Sequence, residues 1–221
     1  MLLNDYMDDT DALTFDVFDI TGKTVDLRGH TYWNKNGAIV FCGTGGMVKD
    51  GRIVARNNGS YAMFVGDDSV ETTSLSVSNV EMFGGLNVYK ATGVTLQGGT
   101  RIRANSQGYA VYTDEGADVR ILNGSYESDQ FWYGLFCAHL GGSISIDVPK
   151  SDIGYSKFKC NGGRFANYKS GSKDLGGNIV VSGGKFDVQV PAEFVAEGST
   201  QTEITEYGGT AHVWKIEPSS K

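Results

Sequence analysis

The chain has 221 residues, a formal net charge of −7 and a sequence pI of about 4.9. Its length suits one large domain, and its 40% hydrophobic content provides for a sizeable core and argues against global disorder. The acidic balance argues against direct binding of nucleic-acid phosphates. No apolar run approaches the roughly 20 residues of a membrane span, so we expect no membrane contact.

Glycine is the most informative residue count. There are 31 glycines, about twice the average share of roughly 7%, and they are spread along the whole chain. Glycine is favoured where the backbone turns at positive φ. Many turns between many short apolar runs are typical of a β architecture.

The first predicted element is an acidic N-terminal strand. Residues 12–20 alternate apolar and polar side chains and could cover the first coil of a solenoid. The aspartates of this end are Asp5, Asp8, Asp9, Asp11, Asp16 and Asp19. Such a run is typical of a solvated end, and the alternative is an acidic surface that faces a basic partner.

From residue 25 onward a degenerate motif recurs. It consists of alternating apolar residues, a turn pair that usually contains glycine, a spacer and another apolar residue. The copies span 25–32, 47–53, 75–82, 94–102, 119–126, 159–165 and 179–186. The second turn residues are Gly51, Val80, Gly99, Gly124, Gly163 and Gly184. Because Gly124 and Gly163 are unusually far apart, we predict an insertion over 141–157 in that coil.

This repeat predicts an all-β fold, a right-handed parallel β-helix of about seven coils formed by one chain. Each strand is too short to stand alone and gains its pairing from the next coil, so like side chains stack inside. One predicted stack is Val48, Val77, Leu96, Ile121, Cys160 and Val181. The other is Ile53, Met82, Ile102, Tyr126, Phe165 and Phe186.

The C-terminus is predicted to close the solenoid, because an open coil end is an exposed sheet edge. Residues 190–198 have the pattern of one or two helical turns, and 205–216 that of a hairpin with Gly208 and Gly209 at its turn. The predicted organisation is an N-terminal strand or cap at 1–23, the β-helix at 24–189 and a C-terminal cap at 190–221.

Two segments resemble a known group of proteins. TVDLRGHTY at 24–32 resembles the opening coil of β-helix proteins found in gut Firmicutes and their phages, and VSGGKFDVQVPAEFVAEG at 181–198 resembles their closing segment. The resemblance covers nearly the whole chain and implies a surface, adhesin-like or phage-associated protein. Since no leader or surface anchor is evident, it favours a phage or prophage gene, and a protein that is cytoplasmic in the producing cell or virion-associated.

Catalytic and metal-binding patterns are weak. Asp67–Asp68 and Asp114–Glu115 are expected to project from one corner of the solenoid, where paired carboxylates could hydrolyse a glycan, but short acidic turns are also ordinary at such corners. The three cysteines lie in apolar contexts and are expected to be buried free thiols. No catalytic residue, metal site or cofactor is predicted. The RIR segment at 101–103 faintly resembles a basic hydrolase motif, but alone it does not indicate a hydrolase.

Aromatic side chains provide better binding candidates. Phe131, Trp132 and Tyr133 are consecutive, so alternation turns at least one of them outward, where it could stack on a sugar or dock a protein. The alternative is that this run enters the core from a loop. The full set of predicted binding residues is Phe131, Trp132, Tyr133, Tyr155, Trp33, Asp114 and Glu115.

The sequence favours a non-enzymatic binding protein, phage- or prophage-encoded, that could inhibit a host protein through its acidic surface. One alternative is a glycan- or receptor-binding tail or surface protein, with trimeric assembly as an option. Another is a polysaccharide lyase or glycoside hydrolase. The expected partner is therefore a host protein or a surface glycan.

Overall fold

The computed structural model describes residues 6–8, 15–34, 38–55, 61–105, 108–128, 133–161, 163–166, 176–206 and 211–219. This part of the chain consists almost entirely of β-strands, with one short 3-10 helix at Ala192–Phe194. In chain order the strands are β1 (Tyr6–Asp8), β2 (Phe15–Asp19), β3 (Thr24–Asp26), β4 (Thr31–Asn34), β5 (Ala38–Cys42), β6 (Met47–Ala55), β7 (Tyr61–Val65), β8 (Ser76–Phe83), β9 (Gly85–Tyr89), β10 (Val94–Gln97), β11 (Arg101–Ala104), β12 (Val111–Asp114), β13 (Asp118–Ile121), β14 (Ser125–Ser128), β15 (Phe136–Ala138), β16 (Ser143–Asp147), β17 (Lys157–Lys159), β18 (Asn178–Phe186), β19 (Ser199–Glu206) and β20 (Ala211–Pro218).

The strands stack into three faces that run along one axis. The first face contains β3, β10, β13 and β16, and the second contains β1, β4, β11, β14 and β17. The long strands β6, β8 and β18 pass from the first face into the second. The third face is the separate sheet β2-β5-β7-β9-β12-β15. The predicted right-handed parallel β-helix is confirmed, and its about six turns are close to the seven that the repeat predicts.

The first face stacks aliphatic side chains inside the solenoid. The stack in register is Val48, Val77, Leu96, Ile121, Ile146 and Val181. The prediction placed Cys160 where Ile146 lies, and this was wrong. Ser143–Asp147 alternates isoleucine with polar residues, so it forms a regular rung of the ladder with Ile144 and Ile146 inward.

The second face becomes aromatic toward the C-terminus. Its stack in register is Tyr32, Ile53, Met82, Ile102, Tyr126, Phe158 and Phe186. The rings of Phe158 and Phe186 lie 4.6 Å apart and 15° from parallel. Phe165 was predicted in this stack, which was wrong, because β17 places Phe158 there. Phe165 is also buried, but it meets Phe186 edge-on at 5.7 Å.

The predicted insertion at 141–157 is smaller than expected. Since 143–147 is a rung, the departure from the repeat is the loop at 148–156, which lies at the corner between the first and second faces. Gly163 follows β17 and does not occupy the corner that Gly99 and Gly124 occupy. The spacing between Gly124 and Gly163 was therefore measured between two different turns of the coil and does not give the length of one coil.

Both ends of the solenoid carry strands. β2 pairs in register with β5, so it is the terminal strand of the third face. At the C-terminus, β19 and β20 form an antiparallel hairpin, and β20 also pairs with the end of β18. Ile216 of β20 is buried against the core. The predicted hairpin is confirmed, the predicted helical segment is a single 3-10 turn, and Gly208 and Gly209 lie outside the described residues.

Candidate functional site: a basic groove on the second face

The outer surface of the second face carries two parallel rows of side chains. Alternation buries every second residue of each strand, so the residues on either side of the inner stack point outward. One row in register is Arg52, Glu81, Arg101, Ser125, Lys157 and Lys185. The other row is Trp33, Val54, Phe83, Arg103, Glu127 and Lys159. Six cations thus lie on one face of a chain whose net charge is −7.

The ends of these rows are neutralised locally. The Nε atom of Arg52 donates to Glu81 Oε2 at 2.7 Å, and its guanidinium lies 5.7 Å from the centre of the Phe83 ring. Lys185 forms an ion pair with Glu206 of the cap. Within the described part of the chain, Arg101 and Lys159 form no ion pair. Arg101 and Lys159 therefore keep positive charge that no described carboxylate neutralises.

A continuous groove runs over this face and along its corner with the first face. It comprises three adjoining cavities of about 420, 650 and 240 Å³, and Arg101 lines all three. We call this the basic groove. Its lining includes Arg52, Glu81, Gly99, Arg101, Ser125, Asp152, Tyr155, Lys157 and Lys159.

The loop at 148–156 forms one wall of the basic groove. Asn123 Nδ2 donates to Asp152 Oδ2 at 3.0 Å, and the backbone N–H of Tyr155 donates to the carbonyl of Asp152 at 2.9 Å. Hydrogen bonds from Asn123 and then Ser151 lower the pKa of Asp152, so this carboxylate is held ionised. The loop is thereby fixed to the solenoid, while the Tyr155 side chain is 84% exposed at the groove.

The acidic residues that were predicted to project from one corner of the solenoid meet there, at the ends of strands of the third face. Lys90 lies between the two predicted pairs, 2.5 Å from Asp68 Oδ1 and 3.4 Å from Glu115 Oε2. The hydrogen bond that Lys90 donates to Asp68 lowers the pKa of Asp68 and raises the pKa of Lys90. Glycoside hydrolysis needs one protonated carboxyl and one free carboxylate, and the contact with Lys90 favours the ionised form of Asp68.

Asp114 belongs to a second contact at the same corner. His139 Nδ1 lies 2.8 Å from Asp114 Oδ1, and the Tyr112 hydroxyl donates to Asp114 Oδ2 at 3.2 Å. Burial, followed by the charge of Asp114, raises the pKa of the Tyr112 phenol. The three side chains cross adjacent rungs, β12 and the residue after β15, so they tie neighbouring coils together.

The structure divides the predicted binding residues between two faces. Trp33 and Tyr155 lie on the second face, whereas Tyr133, Asp114 and Glu115 lie on the third. Tyr133 is 39% exposed and meets Tyr109 edge-on at 5.5 Å. Phe131 and Trp132 lie outside the described residues.

The basic groove residues were mostly missed from the sequence. A signal was present, because Arg101-Ile102-Arg103 and Lys157-Phe158-Lys159 place basic residues on both sides of a buried residue. Recognising it required knowing that these two segments are equivalent rungs. The predicted stack, which used Phe165, obscured that equivalence.

No protein family, curated protein or solved structure was found to match this chain. Among the described residues, no cluster of three or more histidine, cysteine or acidic side chains could hold a metal ion. The same part of the chain contains no helix long and apolar enough to cross a membrane.

Proposed function

We propose that the protein is a non-enzymatic binding protein that holds an extended glycan chain in the basic groove. The observation that carries the proposal is the groove itself: three adjoining cavities follow the solenoid axis across successive rungs. A linear polymer can contact equivalent positions on one rung after another, whereas a compact small molecule would use only one of the cavities.

The lining suits a sugar chain. Carboxylate, amide, hydroxyl and cationic side chains alternate along the groove and can each bond to sugar hydroxyls. Tyr155 adds an exposed ring that can stack on the apolar face of a sugar. This supports the glycan-binding alternative raised by the sequence.

The described carboxylates of the groove support binding without catalysis. Glu81 is held by Arg52, Asp152 by Asn123, and Glu127 accepts a hydrogen bond from Asn161 Nδ2 at 3.0 Å. Asp50, which also lines the groove, accepts a hydrogen bond from Asn79 Nδ2 at 2.8 Å. A general acid needs a proton to give and a general base needs a free oxygen to receive one, and donors already engage at least one oxygen of each of these carboxylates. Phage origin and inhibition of a host protein stay predictions. Asp5, Asp9 and Asp11 of the acidic N-terminal run lie outside the described residues.

An array of immobilised linear glycans tests the proposal with the Tyr155→Ala variant. We expect the full chain to bind at least one class of linear glycan and the variant to bind it several-fold more weakly, because a stacking ring is lost. Folding stability should be unchanged, since Tyr155 is 84% exposed. Leu140→Ala is the matched control, because Leu140 is 54% exposed at the third-face corner and outside the groove.

Two results would contradict the proposal. One is the absence of binding to any linear glycan at about millimolar concentration, which corresponds to roughly −4 kcal/mol. The other is a bound glycan that becomes shorter during incubation, as measured by size-exclusion chromatography. Shortening would favour the hydrolase or lyase alternative.

A further inference from the structure

Charge on the second face alternates from rung to rung. Arg52 lies on β6, Arg101 and Arg103 on β11, and Lys157 and Lys159 on β17. The intervening rungs carry the carboxylates of Glu81 on β8 and Glu127 on β14. From β6 to β17, positive charge therefore recurs on every second rung and negative charge lies between; on the next rung, Lys185 of β18 is paired with Glu206 of the cap.

The two-rung period sets a length. Neighbouring strands lie about 4.8 Å apart, so cations on alternate rungs are spaced by roughly 10 Å along the axis. This is comparable to the length of two sugar residues in an extended chain. One acidic group on every second sugar would then meet each basic rung.

Internal ion pairing leaves two cations of the groove, Arg101 and Lys159, available. Glu81 lies in register with both Arg52 and Arg101, but its Oε2 atom is held by Arg52 at 2.7 Å. Arg101 and Lys159 form no ion pair within the described residues. Arg101 lines all three cavities of the groove, and Lys159 lines the largest. Unpaired cations in a groove favour an anionic ligand.

We infer that the glycan bound in the basic groove is anionic, with a carboxylate or sulfate on alternate sugars; this inference rests on the proposed function. Arg101 on β11 takes one acidic group, and Lys159 on β17 takes the next. The neutral sugar between them lies over Ser125 and Glu127, whose oxygens accept hydrogen bonds from its hydroxyls.

The same alternation disfavours a nucleic acid. A DNA strand with B-form stacking carries a phosphate about every 3.4 Å along its axis, well below the roughly 10 Å between basic rungs, so some phosphates would face Glu81 and Glu127. The net charge of −7 adds a long-range repulsion that a sparsely charged glycan experiences less.

The test is isothermal titration calorimetry of the full chain with hyaluronan oligosaccharides, in which glucuronate alternates with a neutral sugar. The matched probe is the same oligosaccharide after chemical reduction of its carboxylates. We expect the carboxylate form to bind at least about tenfold more tightly, because charged hydrogen bonds to Arg101 and Lys159 are lost on reduction. Raising the salt from about 50 to 200 mM should weaken only the charged form.

Substitutions of single cations show which residues bind the carboxylates of the oligosaccharide. Arg101→Gln and Lys159→Gln should each reduce the affinity for the carboxylate form by about tenfold and leave that for the reduced form nearly unchanged. Lys23→Gln is the control, because Lys23 is exposed on the turn before β3 and outside the groove. All three positions are exposed, so thermal melting should confirm that each variant folds.

The outcomes separate the inference from the function it rests on. Equal binding of both hyaluronan forms, lost in Tyr155→Ala, would overturn the anionic specificity and leave glycan binding intact. Binding of neither form, together with a silent glycan array, would overturn both. Tighter binding of oligo-dT than of hyaluronan, reduced by Arg101→Gln, would overturn the assignment to a glycan.

Discussion

Gly124 shows how a single residue constrains the corner between the first and second faces. Its φ is +124°, and a Cβ atom there would lie 2.1 Å from the backbone carbonyl oxygen of Thr100 on the preceding rung. Gly99 occupies the equivalent turn one rung earlier with φ +81°, yet nothing lies within 4 Å of its Cβ position. Both glycines therefore have a left-handed backbone, but only Gly124 lacks room for a Cβ atom.

We predict that Gly124→Ala lowers the free energy of unfolding by roughly 3 kcal/mol, because the backbone carbonyl cannot move without breaking the ladder. Gly99→Ala should cost only about 1 kcal/mol, the strain of a left-handed alanine. Urea denaturation of both variants measures the difference. Equal losses would show that the corner relaxes around the added methyl group.

The cysteines were predictable from their immediate neighbours. All three, Cys42, Cys137 and Cys160, are buried free thiols, as their apolar contexts indicate. Burial raises the pKa of each thiol, to about 11 for Cys137. Such local properties follow from composition without any knowledge of strand register.

At the scale of elements, polar ladders on the outside of the first face join consecutive rungs. Asp147 of β16 accepts from Arg120 Nε of β13 at 2.9 Å and from Ser182 Oγ of β18 at 2.7 Å. The hydrogen bond from Ser182, and then that from Arg120, hold the pKa of Asp147 below its ordinary value of 3.8. Three strands are tied together by one ionised carboxylate.

This ladder predicts a pH-dependent contribution to stability. Because the folded pKa is lowered, the contribution is complete above the unfolded value of 3.8 and is lost as the pH falls through the folded value. Asp147→Asn should therefore destabilise the protein at about pH 7, and the difference from wild type should shrink toward about pH 2.

Thermal melting across this pH range measures the effect, with Glu71→Gln as the control for removing an exposed carboxylate. A difference between Asp147→Asn and wild type that stays constant with pH would contradict the assignment. It would show that the loss comes from side-chain shape and not from ionisation.

The limits of sequence-based prediction also appear at the scale of elements. Alternation correctly predicted strands around Val48, Leu96 and Ile121, because a one-residue slip would turn their side chains outward. The rung at 143–147 was missed because its corner is the loop at 148–156 and lacks the glycine pair used as a marker. That error moved Phe165 into the place of Phe158 and hid the equivalence of β11 and β17.

At the scale of the whole molecule, the hairpin of β19 and β20 protects the open end of the solenoid. β20 pairs with Gly184–Phe186 of β18 and buries Ile216 against the core. Without the hairpin, these backbone groups and the adjoining apolar surface would form an edge that can pair with another chain.

We predict that deletion of residues 199–221 converts the protein to larger, heterogeneous oligomers, as measured by size-exclusion chromatography with light scattering. His212→Ala should not, because His212 is 71% exposed and contacts Glu203 within the same hairpin. A truncated chain with the same number of subunits as the full chain would show that the last rung needs no cover.

The candidate site, unlike each single strand, requires segments that are far apart in the sequence. Each rung follows from its own few residues, but the basic groove exists only because distant segments such as 101–103 and 157–159 are brought into register. Tyr155 was identified as a departure from the repeat, whereas Arg101 was not, since its segment indicates a binding surface only when it is aligned with the segment at 157–159. A register assignment for every rung was the missing information.

Because the ladder is parallel and in register, duplicating the gene segment that encodes one turn would lengthen the groove. Thr95 pairs with Arg120 and Arg120 with Ser145, so complete turns of equal length, 25 residues, follow one another in the middle of the solenoid. Copying or excising one such unit would keep every remaining strand in register and change the groove by one rung. Because the charge pattern repeats only every second rung, a single added unit would place like charges side by side. Descendants that lengthen the groove for the same ligand should therefore gain turns in pairs.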